Sequence, residues 1–247
     1  MEGDRDFLKN PIPVVYEDEA YMVFNKPAGL LVIPTARIRH HTLNVLVNDQ
    51  YRSQLMGRRL YPCHRLDRET SGLIIYAKGK AHQKSLREAF YRHQVIKQYV
   101  AFVHGHLKRK QDKIQSWITD FEEARYSPFP HPRPAVTFYK VLAEGKAFSI
   151  VSVRPLTGRT NQIRIHFCDL KNPLIGESKY AFRRDYTVKF KRTALHAQYL
   201  EWMHPLSHKR IRLKIPLPED MRQFLSHNGL RAEDFETEEV IGAGGPN

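Results

Sequence analysis

His64-Arg65-Leu66-Asp67-Arg68-Glu69-Thr70-Ser71-Gly72 is a polar run that passes directly into Leu73-Ile74-Ile75-Tyr76-Ala77-Lys78, a short apolar stretch of strand character. Asp67 lies between two arginines, and two nearby cations favour an ionised carboxylate. Thr70 and Ser71 can hydrogen-bond the backbone and fix a loop, and Gly72 lets the chain turn into the strand. Local physics reads the run in two ways, as a functional loop or as a surface salt-bridge cluster.

Working outward, Val14-Val15-Tyr16 and Tyr21-Met22-Val23-Phe24 are strand-like, joined by Glu17-Asp18-Glu19. Lys26-Pro27-Ala28-Gly29 breaks the chain before Leu30-Leu31-Val32-Ile33. Leu43, Leu46, Val47 and Leu55 have helical spacing within Thr42 to Met56. Ala81 to His93 reads as an amphipathic helix, with Leu86, Ala89 and Phe90 inward and Lys84, Arg87 and Arg92 outward. Lys97 to Val103, Ala135 to Leu142, Phe148 to Val153, Ala194 to Met203 and Ile211 to Ile215 read as strands. Between them, Pro128, Pro130, Pro132 and Pro134 space a stiff extended loop, and Thr157-Gly158 turns into a helix over Thr160 to Leu170, with Thr160 or Asn161 near its cap. Strands outnumber helices and hairpin-sized gaps dominate, so a mixed, largely antiparallel α+β sheet is expected rather than a doubly wound one.

A chain of 247 residues, 41% hydrophobic and 27% charged, can bury a core without staples, which excludes global disorder. Its two cysteines, Cys63 and Cys168, form no CxxC and no disulfide framework. No apolar stretch approaches a membrane span, and charges occupy the place of a signal peptide's apolar core, so a cytoplasmic protein is expected. The formal net charge is +14; Arg231 to Asn247 carries −4, leaving +18 on residues 1–230. A body that basic suits a polyanion, nucleic acid above all, or else is a solvated basic surface. The expected organisation is an arm over 1–13, one catalytic domain over 14–230, and an acidic flexible tail over 231–247.

There is no GxxxxGK[ST], GxGxxG, HExxH or GxSxG. The thirteen histidines lack cysteine or carboxylate partners at ligand spacing, so no metal is expected. Cys63 beside His64 is a poor nucleophile pair, because neighbours in extended chain point opposite ways. A second constellation, Arg154-Pro155-Leu156-Thr157-Gly158-Arg159-Thr160-Asn161-Gln162-Ile163-Arg164-Ile165-His166, sets three arginines on a strand–turn–helix junction. Ile163 and Phe167 would pack inward, leaving Arg164 at the core's edge, where it could pair with a carboxylate such as Asp67 or bind phosphate.

Taken together, these segments resemble the RluA-type pseudouridine synthases. The resemblance rests on His64 to Lys78, on Asn25-Lys26-Pro27-Ala28-Gly29-Leu30, on Thr157 to His166, and on Leu195-His196-Ala197 with His204-Pro205 downstream. It spans about Val14 to Leu217. It implies the pseudouridine synthase fold, a long mixed, mostly antiparallel sheet with flanking helices and a central cleft. It implies roles residue by residue: Asp67 as the essential aspartate, Tyr99 stacking on the target base, Arg164 as the basic partner of the aspartate, and Leu195 packing on the base's other side. Arg65 resembles the arginine that fills the gap left by a flipped nucleotide. Asn161 stands where histidine is common, Cys63 where valine is frequent, and Gly176-Glu177 in place of Gly-Asp.

The implied reaction converts a uridine to its isomer, so no cofactor is expected. An ionised carboxylate near the ribose could act as a base at C2′ or as a nucleophile at C1′ or C6. The partner is then RNA, reached after the base leaves its stack, with no membrane and with a monomeric enzyme. RNA contacts are expected at Arg65, Arg68 and Arg159, and in basic runs containing Lys108, Arg109, Arg183, Arg184, Lys189, Lys191 and Arg192, where phosphates give affinity and aromatics stack. Only thirteen residues precede Val14, which resembles compact members without an S4-like domain and leans towards transfer RNA over a ribosomal stem-loop. The rivals are a non-catalytic RNA-binding assembly factor, against which the four matched site residues speak, and a nucleic-acid hydrolase, for which paired metal-binding groups are lacking.

Overall fold

The computed structural model of the protein describes residues 10–35, 38–119, 131–181 and 186–236. Ten strands and five helices are found among them, in two compact units: Met1–Ile96 with Ala197–Ile215, and Lys97–His196 with Pro216–Asn247. The strand pairs described below run antiparallel and the fold class is α+β, as the hairpin-sized gaps lead one to expect.

The first unit contains β1 (Val14–Glu17), β2 (Tyr21–Lys26), β3 (Leu60–Pro62), β4 (Ser71–Lys78), most of β9 (Leu195–Met203) and β10 (Arg210–Lys214), with helices α1 (Leu43–Gln50) and α2 (Lys80–Tyr91). The strand order is β1-β2-β4-β9, with β3 also on β4 and β10 on β9. The β1–β2 turn forms because the Asp18 carboxylate accepts the N–H groups of Ala20 and Tyr21 at 2.8 and 2.7 Å. Tyr21 and Val23 of β2 join Leu73, Ile75 and Ala77 of β4, Leu86 of α2 and Trp202 of β9 in one core. Ala89 and Phe90 pack against it while Lys84 and Arg87 stay exposed, the amphipathic face read from the sequence. Burying a side chain such as Leu86 completely contributes about 2 kcal/mol.

In the second unit β5 (Ile96–His104), β6 (Gln111–Ile118), β7 (Arg133–Glu144) and β8 (Phe148–Pro155) pair in the order β5-β8-β7-β6. Its helices are α3 (Gln162–Asp169), α4 (Glu219–His227) and the single turn α5 (Glu233–Glu236). Tyr99 pairs with Val153 and Val153 with Tyr139, so these three share a face. The Tyr139 ring meets Phe167 of α3 at 5.6 Å, which places α3 over that face. The opposite face offers Val100, Phe102 and Ile150 to Met221 and Leu225 of α4.

Several expectations need correction. Helix α3 is shorter than the read Thr160 to Leu170, with Asn161 at its N-cap position, at φ 57° and without a side-chain cap bond. Strands β3 and β6 and helix α4 went unread. The tail reading divides: Ala232 is buried in the second unit's core and Glu233–Glu236 is helical, while 237–247 lies outside the described residues. In the arm read over 1–13, Ile12 is buried and its N–H bonds Gln50 Oε1 at 2.8 Å. Pro128 and Pro130 lie outside the described residues, and Pro134 sits in β7 opposite Trp117.

Gly72 has φ 115°, and a Cβ there would overlap the Ala197 backbone of β9. Gly72→Ala is expected to cost about 3 kcal/mol, from strain together with displacement of β9. Urea denaturation measures it, and a loss below about 1 kcal/mol would show that β9 can yield.

Candidate active site

In the first unit the Asp67 loop runs from β3 back into β4. The N–H of Cys63 bonds Ile75 O at 2.9 Å, and that of Ile75 bonds His64 Nε2 at 3.1 Å, so the loop is folded onto its own strand. Phe90 of α2 packs 4.7 Å from the His64 ring. Cys63 is buried, which pushes its thiol up to about 12, and His64 is held by these contacts, so they form no nucleophile pair.

A turn follows, in which Thr70 N–H bonds Asp67 O at 3.2 Å. The next residue is clamped from outside. Arg68 O accepts Gly29 N–H at 2.8 Å, and Arg68 Nε donates to Gly29 O at 2.9 Å. Lys26, fully buried, donates from Nζ to the carbonyls of Pro27 and Leu30 at 2.8 Å and of Arg68 at 3.1 Å. A buried ammonium costs several kcal/mol unless its hydrogens find acceptors, and these carbonyls supply them. The Lys26-Pro27-Ala28-Gly29 stretch is therefore the clamp of the Asp67 turn. Asp67 itself is half-buried, beside exposed Arg65 and Arg68.

In the second unit the polar residues from Thr157 to His166 build a pedestal for α3. Gln162 Oε1 accepts the Thr157 hydroxyl at 2.7 Å and Arg159 N–H at 3.0 Å. Gln162 Nε2 donates to Val136 O at 3.0 Å and Thr137 Oγ1 at 2.9 Å. His166 is buried between Thr137 and Ser116, each at 2.9 Å, and burial lowers its pKa to about 4, so it is neutral at pH 7. These bonds attach α3 to β6 and β7, and α3 carries Arg164.

Arg164 is 8% exposed. Its Nε and Nη2 donate to Glu177 Oε2 and Oε1, each at 2.7 Å, and Nη1 donates to Asn161 Oδ1 at 3.0 Å. Burial pushes the Glu177 carboxyl up, but the bonds and charge of Arg164, with the N–H groups of Lys179 and Tyr180, outweigh it and hold it below its usual range. Glu177 escaped the sequence reading as a partner of Arg164; the only signal was that Gly176-Glu177 departs from Gly-Asp.

Tyr99 and Leu195 are 8% and 3% exposed. Phe102 N–H bonds Ala194 O at 3.0 Å, so the second unit brings Leu195 beside the strand that carries Tyr99. Lys97, two residues before Tyr99, has its pKa lowered to about 8 by burial and then by Arg159.

Arg192 corrects its RNA-binding expectation. It is 5% exposed, with Nε and Nη2 on Asp220 at 2.7 and 3.0 Å and Nη1 on the carbonyls of Thr193 and Leu195 at 3.0 and 3.3 Å. Its guanidinium thus orders the chain that leads into Leu195. Lys108, Lys189 and Lys191 are exposed. Arg109 is exposed and pairs with Asp112 at 3.0 Å, and half-buried Arg159 donates to Pro134 O at 3.2 Å. Arg183 and Arg184 lie outside the described residues. Among the described residues no helix is long and apolar enough to cross a membrane, and no three His, Cys, Asp or Glu side chains are grouped to hold a metal.

Residues 20–169 match the family described as RNA pseudouridylate synthase. The ribosomal large subunit pseudouridine synthase D of Buchnera aphidicola subsp. Acyrthosiphon pisum is 33% identical over 227 residues, covering 87% of this chain and 72% of that protein. The enzyme of the same name from Escherichia coli K12 is 32% identical over 240 residues, covering 92% and 72%. The solved structure of human RNA pseudouridylate synthase domain containing 1 is similar with a TM-score of 0.65 and 28% identity, covering 84% of each chain. Human RNA pseudouridylate synthase domain containing 4 shares the fold, with a TM-score of 0.67 over 91% of this chain and 93% of that one, at 22% identity. The chain therefore belongs to the RNA pseudouridylate synthase family, a class of isomerases acting on RNA. Within that class it is of the RluA type, as its motifs had suggested.

Lys26→Met is expected to destabilise the fold by about 3 kcal/mol, because carbonyls that met an ammonium would be left in an apolar site. Urea unfolding measures it; an unchanged midpoint would mean the clamp is not needed. Asp220 is pushed up by burial and lowered further by Arg192, to a net value below its usual 3.8. A depressed carboxyl stabilises fully above its unfolded value and loses that contribution as pH falls through the folded one. Asp220→Asn should therefore lower Tm at pH 7, and the gap to wild type should narrow below about pH 3.8. A gap that stays constant with pH would remove Asp220's charge from the account.

Proposed function

We propose that this chain isomerises a uridine of large-subunit ribosomal RNA to pseudouridine, with Asp67 as the catalytic carboxylate. The observation that carries the reading is the 32–33% identity to enzymes named for the ribosomal large subunit, over 87–92% of this chain. Transfer RNA, favoured from the short N-terminal arm, has no such support among these relatives.

The chemistry suits what the chain offers. The C1′–N1 bond breaks, the uracil turns, and C5 bonds to C1′; the C5 proton leaves to solvent and N1 takes one up. The overall change is mass-neutral and needs no redox equivalent. Asp67 acts at the ribose or at C6, on a turn clamped by Lys26 and Gly29, so little conformational freedom is lost on reaching the transition state. The cationic role in turnover falls to Arg164, whose guanidinium is already buried and ordered. Tyr99 and Leu195 hold the detached ring by dispersion, which permits rotation in its plane. Exposed Arg65, Arg68, Lys108, Arg109, Lys189 and Lys191, with half-buried Arg159, supply phosphate contacts, so affinity falls as salt rises.

Large-subunit RNA transcribed with uracil tritiated at C5 tests the proposal. Wild type should release tritium at one mapped site without strand scission, and Asp67→Asn should bind the RNA with near-normal affinity and release none. Release by Asp67→Asn would remove Asp67 from its role, and conversion of transfer RNA alone would overturn the substrate.

A further inference from the structure

The strongest arrangement that the proposed chemistry leaves unused lies around Arg164. Glu177 follows Gly176, whose φ is 79° and whose missing Cβ leaves room for the Arg192 carbonyl. The Glu177 side chain is 1% exposed. Its Oε1 accepts the backbone N–H groups of Ser178, Lys179 and Tyr180 at 2.9, 2.7 and 3.2 Å, so the carboxylate is immobilised by its own loop. It then meets Arg164 side-on, through both Nε and Nη2.

Asn161 completes the hold. Its backbone is left-handed at φ 57°, and its side chain does not cap α3. Instead Oδ1 accepts Nη1 of Arg164, while Nδ2 donates to the Tyr180 hydroxyl at 3.0 Å. The Tyr180 ring lies 5.4 Å from the Arg164 guanidinium carbon. Glu177 and Asn161 together take three of the five guanidinium N–H groups.

Stability alone does not explain this arrangement. A buried ion pair roughly breaks even against a well-packed apolar pair, and Ile163 and Phe167 already seat α3. What the pair does provide is a guanidinium with one orientation. We propose that Glu177, assisted by Asn161, is a positioning residue for the isomerisation, holding Arg164 in the orientation that turnover uses. The proposal rests on the reading of the preceding subsection. It goes further by assigning catalytic consequence to a carboxylate that touches neither the ribose nor the base.

The test compares wild type, Glu177→Gln, Glu177→Asp and Asn161→Ala in C5-tritium release from large-subunit RNA, with Tm and far-UV spectra to establish folding. Glu177→Gln should lower kcat about 100-fold, the scale of a small misplacement of a catalytic group, and leave KM nearly unchanged. Glu177→Asp, which keeps the charge, should recover most of that loss, and Asn161→Ala should show a smaller fall. Independently of activity, the Arg164 Nε–H resonance, identified by its absence in Arg164→Lys, should be protected from water in wild type and lose protection in Glu177→Gln. Folded Glu177→Gln that turns over at the wild-type kcat, or a resonance equally protected in both, overturns the proposal even if Tm falls. A wild type that converts no uridine in any RNA ends the underlying reading, and this proposal with it.

Discussion

The Lys26 ammonium is enclosed without solvent contact and bonded to the carbonyls of Pro27, Leu30 and Arg68. Two segments some forty residues apart in sequence are joined at this point. The turn carrying Asp67 is thereby fastened to the end of β2, itself in register with β4 from Tyr21–Ala77 to Lys26–Gly72. A carboxylate on a surface loop would sample many positions, and each would have to be given up on reaching a transition state. Here the backbone on either side is already committed, by the Thr70–Asp67 bond and by the clamp on Arg68. An internal charge is costly, and it persists because its hydrogens meet carbonyl oxygens.

The same rule organises the second unit. Arg164 is sheathed by Glu177 and Asn161, and Arg192 by Asp220 and two carbonyls. Arg192 orders the approach to Leu195, and the Glu177 loop orders Arg164. A chain with a formal charge of +14 thus uses its cations in two ways. Buried ones are satisfied by fixed internal acceptors and set geometry, while exposed ones such as Lys108, Lys189 and Lys191 face water, where a polyanion can displace counterions.

Much of this could be read from the chain before any coordinates. The apolar runs Tyr21 to Phe24 and Tyr99 to Val103 are buried throughout, the 3.6 period over Ala81 to His93 marks one buried face, and burial follows directly from side-chain polarity. Strand β6 escaped because its apolar residues are sparse among Gln111, Asp112, Lys113 and Gln115, and its pairing with β7 rests on backbone bonds that any sequence can make. Helix α4 was legible in retrospect: Pro218 precedes Glu219 and Asp220 in its first turn, and Met221 and Leu225 share a face. Asn161 stands at the cap position, as read, but its side chain bonds Arg164 and not the helix backbone, a distinction that depends on φ and so on the fold.

By itself the sequence determined the class of fold and the isomerase family, because motifs and periodicities are local and survive as strings. Only the tertiary structure decided which charges are internal and what each one holds. Lys26 clamps a loop rather than meeting solvent, Arg192 orders Leu195 rather than RNA, and Glu177 grips Arg164 across thirteen residues. Such pairings depend on which distant acceptors come within hydrogen-bonding distance, and bond geometry between residues far apart in the chain has no signature in their order.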